Sequence, residues 1–136
     1  MTVSKCYIII REDLDMPVGK LAAQAGHAVD SIWSTITVAG TSIRGCNAVG
    51  ENPRDEDEKI LNDFSTWVQD GRRKIILKAK SEEQMLNLFD KVKAEGFTAT
   101  KIHDYGFNHF DGLTLTGFVV FPCTDEVKAL KRVRLW

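Results

Sequence analysis

At 136 residues the chain has the length of one ordinary domain, long enough to bury a core without disulfide or metal support. Hydrophobic residues make up 43% and charged residues 27%, a soluble balance, and no apolar run reaches the length of a bilayer span, which argues against a membrane protein. A formal net charge of −1 argues against broad nonspecific nucleic-acid binding and leaves two local basic clusters, Arg72-Arg73-Lys74 and Lys128, Lys131, Arg132 and Arg134. The first residues lack the pattern of a signal peptide, so a cytoplasmic location is expected. Cys6, Cys46 and Cys123 form an odd set without CxxC spacing and are expected as free thiols, two of them in apolar, strand-like surroundings.

In chain order, Cys6 to Ile10 is rich in β-branched and aromatic residues and reads as a buried strand. Pro17 and Gly19 break the chain, and a helix is expected from near Lys20. Lys20, Gln24 and His27 fall at i, i+4 and i+7 and share one helical face, while Leu21, Ala25, Ala28 and Ile32 form a neighbouring face suited to packing on a sheet. A cation, an amide and an imidazole thus line up at a strand-to-helix turn, where open α/β sheets tend to hold ligands.

Thr37 to Asp57 contains Gly40, Gly45, Gly50 and Pro53 and reads as a long surface loop. Ile60, Leu61, Phe64, Trp67 and Val68 recur at helical spacing up to a stop at Gly71, which makes Trp67 a core residue rather than a ligand. Lys74 to Lys80 carries a second strand. Ser81-Glu82-Glu83-Gln84 has the form of a capping box opening a helix whose buried stripe is Met85, Leu88, Phe89 and Val92, closed by Gly96. Thr98 to His103 reads as a third strand and Leu115 to Phe121 as a fourth, bounded by Pro122. A short helix is expected over Asp125 to Lys131. This order predicts an α/β fold with a small mixed sheet covered on both faces.

The polar loop from His103 to Thr116 is the second place for chemistry. Asp104 ends a strand and Gly106 frees the backbone after it, so the carboxylate can point towards the Lys20 turn. His27, His103 and His109 lack a recognised zinc-ligand spacing, and neither a phosphate-binding glycine loop nor a serine nucleophile elbow is present.

These residues resemble the type 2 peptidyl-tRNA hydrolases. The family motif G-K-x-A-A-Q-x-x-H-A is matched by Gly19, Lys20, Ala22, Ala23, Gln24, His27 and Ala28, and the similarity continues through Lys74 to Glu83 and through Asp104 with Gly106. The resemblance implies a three-layer α/β/α sandwich around a four-stranded mixed sheet. It also implies a homodimer that hydrolyses, with neither metal nor cofactor, the ester joining a nascent peptide to the 3′ ribose of tRNA. By resemblance Lys20, Asp104 and Thr116 take catalytic positions, with Asn108 standing where the family has a threonine, and Phe107 where it has an arginine. Gly19, Gln24, His27, Gly106, His109 and Thr114 are the implied substrate-binding residues. The alternative is a catalytically silent homologue serving as a dimeric RNA- or protein-binding domain.

Overall fold

The computed structural model of the chain describes residues 3–48, 55–106 and 110–136, with the side chains of residues 37–57 outside that description. Its centre is β1 (Lys5–Arg11), whose isoleucines at 8, 9 and 10 are fully buried because both faces of the strand are covered. β1 pairs in parallel with β2 (Arg73–Ala79) on one side and antiparallel with β4 (Thr114–Cys123) on the other. β3 (Ala99–Asp104) adds antiparallel to β4, giving the order β2-β1-β4-β3.

The connections decide the layers. α1 (Val18–Ala48) and α2 (Asp55–Gln69) link β1 to β2 over one face, where Ala28, Ile32, Ile36 and Trp67 meet Cys6, Ile8 and Ile10. α3 (Glu82–Ala94) links β2 to β3 over the other, placing Met85, Leu88 and Val92 on Ile9, Leu77 and Phe118. The result is the expected α/β/α arrangement around an open four-stranded mixed sheet. Trp67 is core, as its spacing implied: it is fully buried, and its indole N–H donates to the Arg73 carbonyl at 2.8 Å. Cys6 and Cys123 are free and buried, which pushes their thiols up to about 11 and about 12. Cys46 lies outside the described side chains.

Several local expectations hold. Ser81 accepts from the Gln84 N–H, and Gly71 and Gly96 end their helices at φ of 104° and 92°. The Gln84 side chain reaches one residue further back than a capping box requires, to the Lys80 N–H. Others need correction. The loop expected over Thr37 to Asp57 is helical to Ala48 and again from Asp55, which leaves residues 49–54, outside the described residues. Gly40 and Gly45 read as breakers, yet each costs only about 1 kcal/mol inside a helix that has already propagated. β4 runs through Pro122 to Cys123, because Val120 pairs with Tyr7 and Cys123 with Lys5: one extra residue makes a bulge where the missing proline N–H is tolerated.

The expected C-terminal helix is reduced to a 3₁₀ turn, Lys128–Leu130. The residues after it cover the outer edge of β2 instead. Leu135 bridges Leu77, the Lys78 N–H donates to the Arg134 carbonyl at 2.8 Å, and the Trp136 N–H donates to the Ile76 carbonyl at 3.1 Å.

A second bulge lies where β4 leaves β3. Ile102 pairs with Gly117 but His103 pairs with Leu115, so Thr116 has no partner across the ladder. The extra residue inverts the alternation of faces at this point. Leu115 packs with the α3 layer, and Thr116 turns to the α1 layer. The Arg11 guanidinium donates to the Leu115 carbonyl at 2.9 Å beside the bulge.

Candidate active site

Three elements meet at the sheet end where β1 and β3 finish. α1 starts beside it, its first hydrogen bond running from the Leu21 N–H to the Pro17 carbonyl. Lys20, Gln24 and His27 then rise along one face, as their spacing predicts. Their exposure is graded: the Lys20 side chain is 16% exposed, Gln24 is buried and the His27 side chain is 46% exposed. Asp104 closes β3 on the same side of the sheet as Ile102 and is only 5% exposed.

The Asp104 carboxylate gathers the site. Its Oδ1 accepts from the Lys20 ammonium at 2.9 Å and from the Gly106 N–H at 2.7 Å. Its Oδ2 accepts from the Gln24 amide at 2.9 Å and lies 3.3 Å from His27 Nε2. Gln24 is oriented in turn by the buried Thr116 hydroxyl, which donates to Gln24 Oε1 at 2.7 Å. This bond is possible because the bulge aims Thr116 at α1. Gly106 bends the chain at φ 76°, and a Cβ there would run into the Gly112 carbonyl and lie 2.8 Å from Phe110 Cβ, so only glycine lets the turn close on the carboxylate.

Burial by itself would push the Asp104 carboxyl up. Hydrogen bonds from Gln24, Lys20 and the Gly106 N–H, together with the Lys20 charge, outweigh it and hold the group well below the usual carboxylate range. An acid so depressed is an anion at neutral pH and a poor proton acceptor. By linkage its stabilisation is complete above the unfolded carboxylate pKa, about 3.9, and is lost as pH falls through the lower folded value. The stability gap between the parent and Asp104→Asn is therefore expected to be constant from pH 5 to 8 and to narrow below about pH 4. Urea midpoints across that range measure it, and a gap already narrowing at pH 6 would contradict the assignment.

Not every candidate joins the cluster. Gly19 is exposed, with open space where its side chain would be, so it leaves room beside Lys20. The Thr114 hydroxyl donates to the Gly112 carbonyl at 2.9 Å and shapes the turn before β4. Phe107, Asn108 and His109 lie outside the described residues. The Phe110 ring lies 5.3 Å from the Lys20 ammonium, a cation–π contact on the loop side. Nothing local in the sequence marks it, because the contact depends on how the loop folds back.

A family model described as peptidyl-tRNA hydrolase PTH2 matches residues 4–131. The chain belongs to that family. Among the relatives of this peptidyl-tRNA hydrolase family member is the peptidyl-tRNA hydrolase of Methanocaldococcus jannaschii, 30% identical over 122 residues, covering 90% of this chain and 89% of that protein. The Sulfolobus acidocaldarius protein of the same name is 30% identical over 123 residues, 90% of each chain. That of Haloquadratum walsbyi is 31% identical over 119 residues, 88% of this chain and 86% of its own.

Proposed function

We infer that this chain is a peptidyl-tRNA hydrolase, cleaving the ester between a peptide and the 3′ ribose of tRNA. The observation that carries the reading is an ammonium at a partly open site, fixed 2.9 Å from a buried carboxylate whose other positions are taken by an amide and a backbone N–H. Asp104 positions Lys20, and Gln24 with Thr116 positions Asp104. An ammonium has three N–H groups, so Lys20 keeps donors for the oxygen that becomes negative when the ester carbonyl turns tetrahedral.

The attacking water must lose a proton, and Asp104 is unsuited to take it. His27 borders the same carboxylate with a half-exposed ring. In the tautomer that donates Nε2–H to Asp104, Nδ1 is left to accept, so His27 is the general base of this reading. The tetrahedral species then collapses, the ribose oxygen leaves with the proton that His27 took from the water, and the peptide carries the new carboxyl group.

The test is release of deacylated tRNA from purified N-acetylaminoacyl-tRNA. The parent is expected to turn over, and His27→Asn to lower kcat about 10²-fold at a similar KM. A folded parent that releases nothing sinks the hydrolase reading, while an undiminished His27→Asn sinks only the role of the imidazole. The family resemblance further supports a homodimer working in the cytoplasm, and sedimentation equilibrium measures the first. Among the described residues no helix is long and apolar enough to cross a membrane.

A further inference from the structure

A second feature lies beyond the Lys20 cluster. Between α3, the end of β2 and the C-terminal segment is a cavity of about 470 Å³. Lys80, Lys91, Lys128, Lys131, Arg132 and Arg134 line it, with Lys78 at its side and Glu12 as the only carboxylate in the lining. Seven of the chain's 18 lysines and arginines thus surround one hollow in a protein of net charge −1.

Neutralisation within the fold is slight. Lys78 reaches Glu12, and Lys131 reaches Glu126, each only at 4.0 Å. Among the described residues Lys80, Lys91, Lys128, Arg132 and Arg134 have no carboxylate within ion-pair distance. The walls are nonetheless built. The two Glu95 carboxylate oxygens accept from the Lys128 and Ala129 N–H groups at 2.9 and 2.8 Å, and the backbone of Arg134 is tied to β2. Holding like charges together at fixed positions opposes folding unless an anion offsets it.

We propose that this cavity is a docking site for the phosphodiester backbone of RNA, holding the body of the tRNA while its 3′ end reaches Lys20. The proposal rests on the peptidyl-tRNA reading above. One phosphate engages two or three cations, so seven cations supplied by three elements match a run of phosphates better than a single small anion. The C-terminal segment also connects the two places. Leu135 and Trp136, directly after Arg134, share a shallow groove with Val18 and Leu21, which flank Lys20 at the start of α1.

The experiment measures affinity for deacylated tRNA between 50 and 200 mM salt, comparing the parent with a Lys128→Gln/Arg132→Gln/Arg134→Gln variant. A control removes three cations elsewhere, Lys5→Gln/Lys59→Gln/Lys101→Gln. The cavity variant is expected to bind about 10²–10³-fold more weakly at 50 mM salt and still about tenfold more weakly at 200 mM, which flattens the slope of log affinity against log salt by about 2 to 3, while the control stays close to the parent. Equal losses in both variants, or no loss in either, overturn the proposal. A Lys80→Gln/Lys91→Gln variant probes the opposite wall if the first variant melts early, with the same two outcomes. If the parent fails to cleave peptidyl-tRNA yet binds tRNA through this cavity, the docking site stands and the hydrolase reading falls. If it cleaves peptidyl-tRNA but binds tRNA independently of the cavity, the hydrolase reading stands and the docking site falls.

Discussion

Lys20→Met is expected to lower kcat for peptidyl-tRNA by about 10²–10³-fold, the size of effect seen when one preorganised donor to a developing oxyanion is removed. Methionine keeps the unbranched stem and helix propensity of lysine, so α1 is retained and only the ammonium is lost. Asp104 then keeps the Gln24 amide and the Gly106 N–H but loses its charge partner at a site that is 5% exposed. Some stability is lost with it, since removing one member of a buried pair leaves the other charge uncompensated. Thermal melting of the variant must therefore accompany the kinetics. Single-turnover rates on a saturating substrate separate the chemical step from binding. A folded Lys20→Met protein within threefold of the parent would show that the ammonium does not face the reaction.

The largest effect on stability is expected at Gly117, away from any charge. A Cβ on this residue would collide with the Ile9 carbonyl oxygen and come within 3.1 Å of the Ile10 Cα. Both obstacles are backbone atoms of the central strand, so no rotamer change relieves them. The strand pair β1–β4 must separate locally, in a layer where Ile9 and Ile10 are fully buried. Gly117→Ala is expected to cost about 3 kcal/mol or more, at or above the upper end of ordinary overpacking. Urea unfolding measures it, and a loss below about 1 kcal/mol would mean that the strands part more easily than their packing implies.

How far the sequence discloses the site depends on how local each relation is. Lys20, Gln24 and His27 share a face because helical periodicity is a property of eight successive residues, and Asp104 beside Gly106 reads as a strand end from its neighbours alone. The fold class follows from the same kind of signal, apolar periods alternating between strand and helix. The bulge at Thr116 is different in kind. It is a mismatch between two strands, His103 against Leu115 and Ile102 against Gly117, and neither strand shows it by itself. The C-terminal segment escapes for a related reason, since the single bridge from Leu135 to Leu77 is too short to leave a period. Lys78, Lys80 and Lys91 look like ordinary surface charge until β2 and α3 bring them opposite the basic end of the chain.

Thr116 has one further consequence, which concerns counting rather than chemistry. From Gly117 to Val120 the strand keeps one step with β3, and before Thr116 it keeps another. The two rhythms are out of phase by a single residue. Removing Thr116 would restore a common beat: Leu115 would still stand across from His103 in the layer with α3, and no hydroxyl would meet Gln24. Every other side chain of the strand would survive such a change, yet the network around Asp104 would not. What the site requires of β4 is a number of residues as well as their kinds.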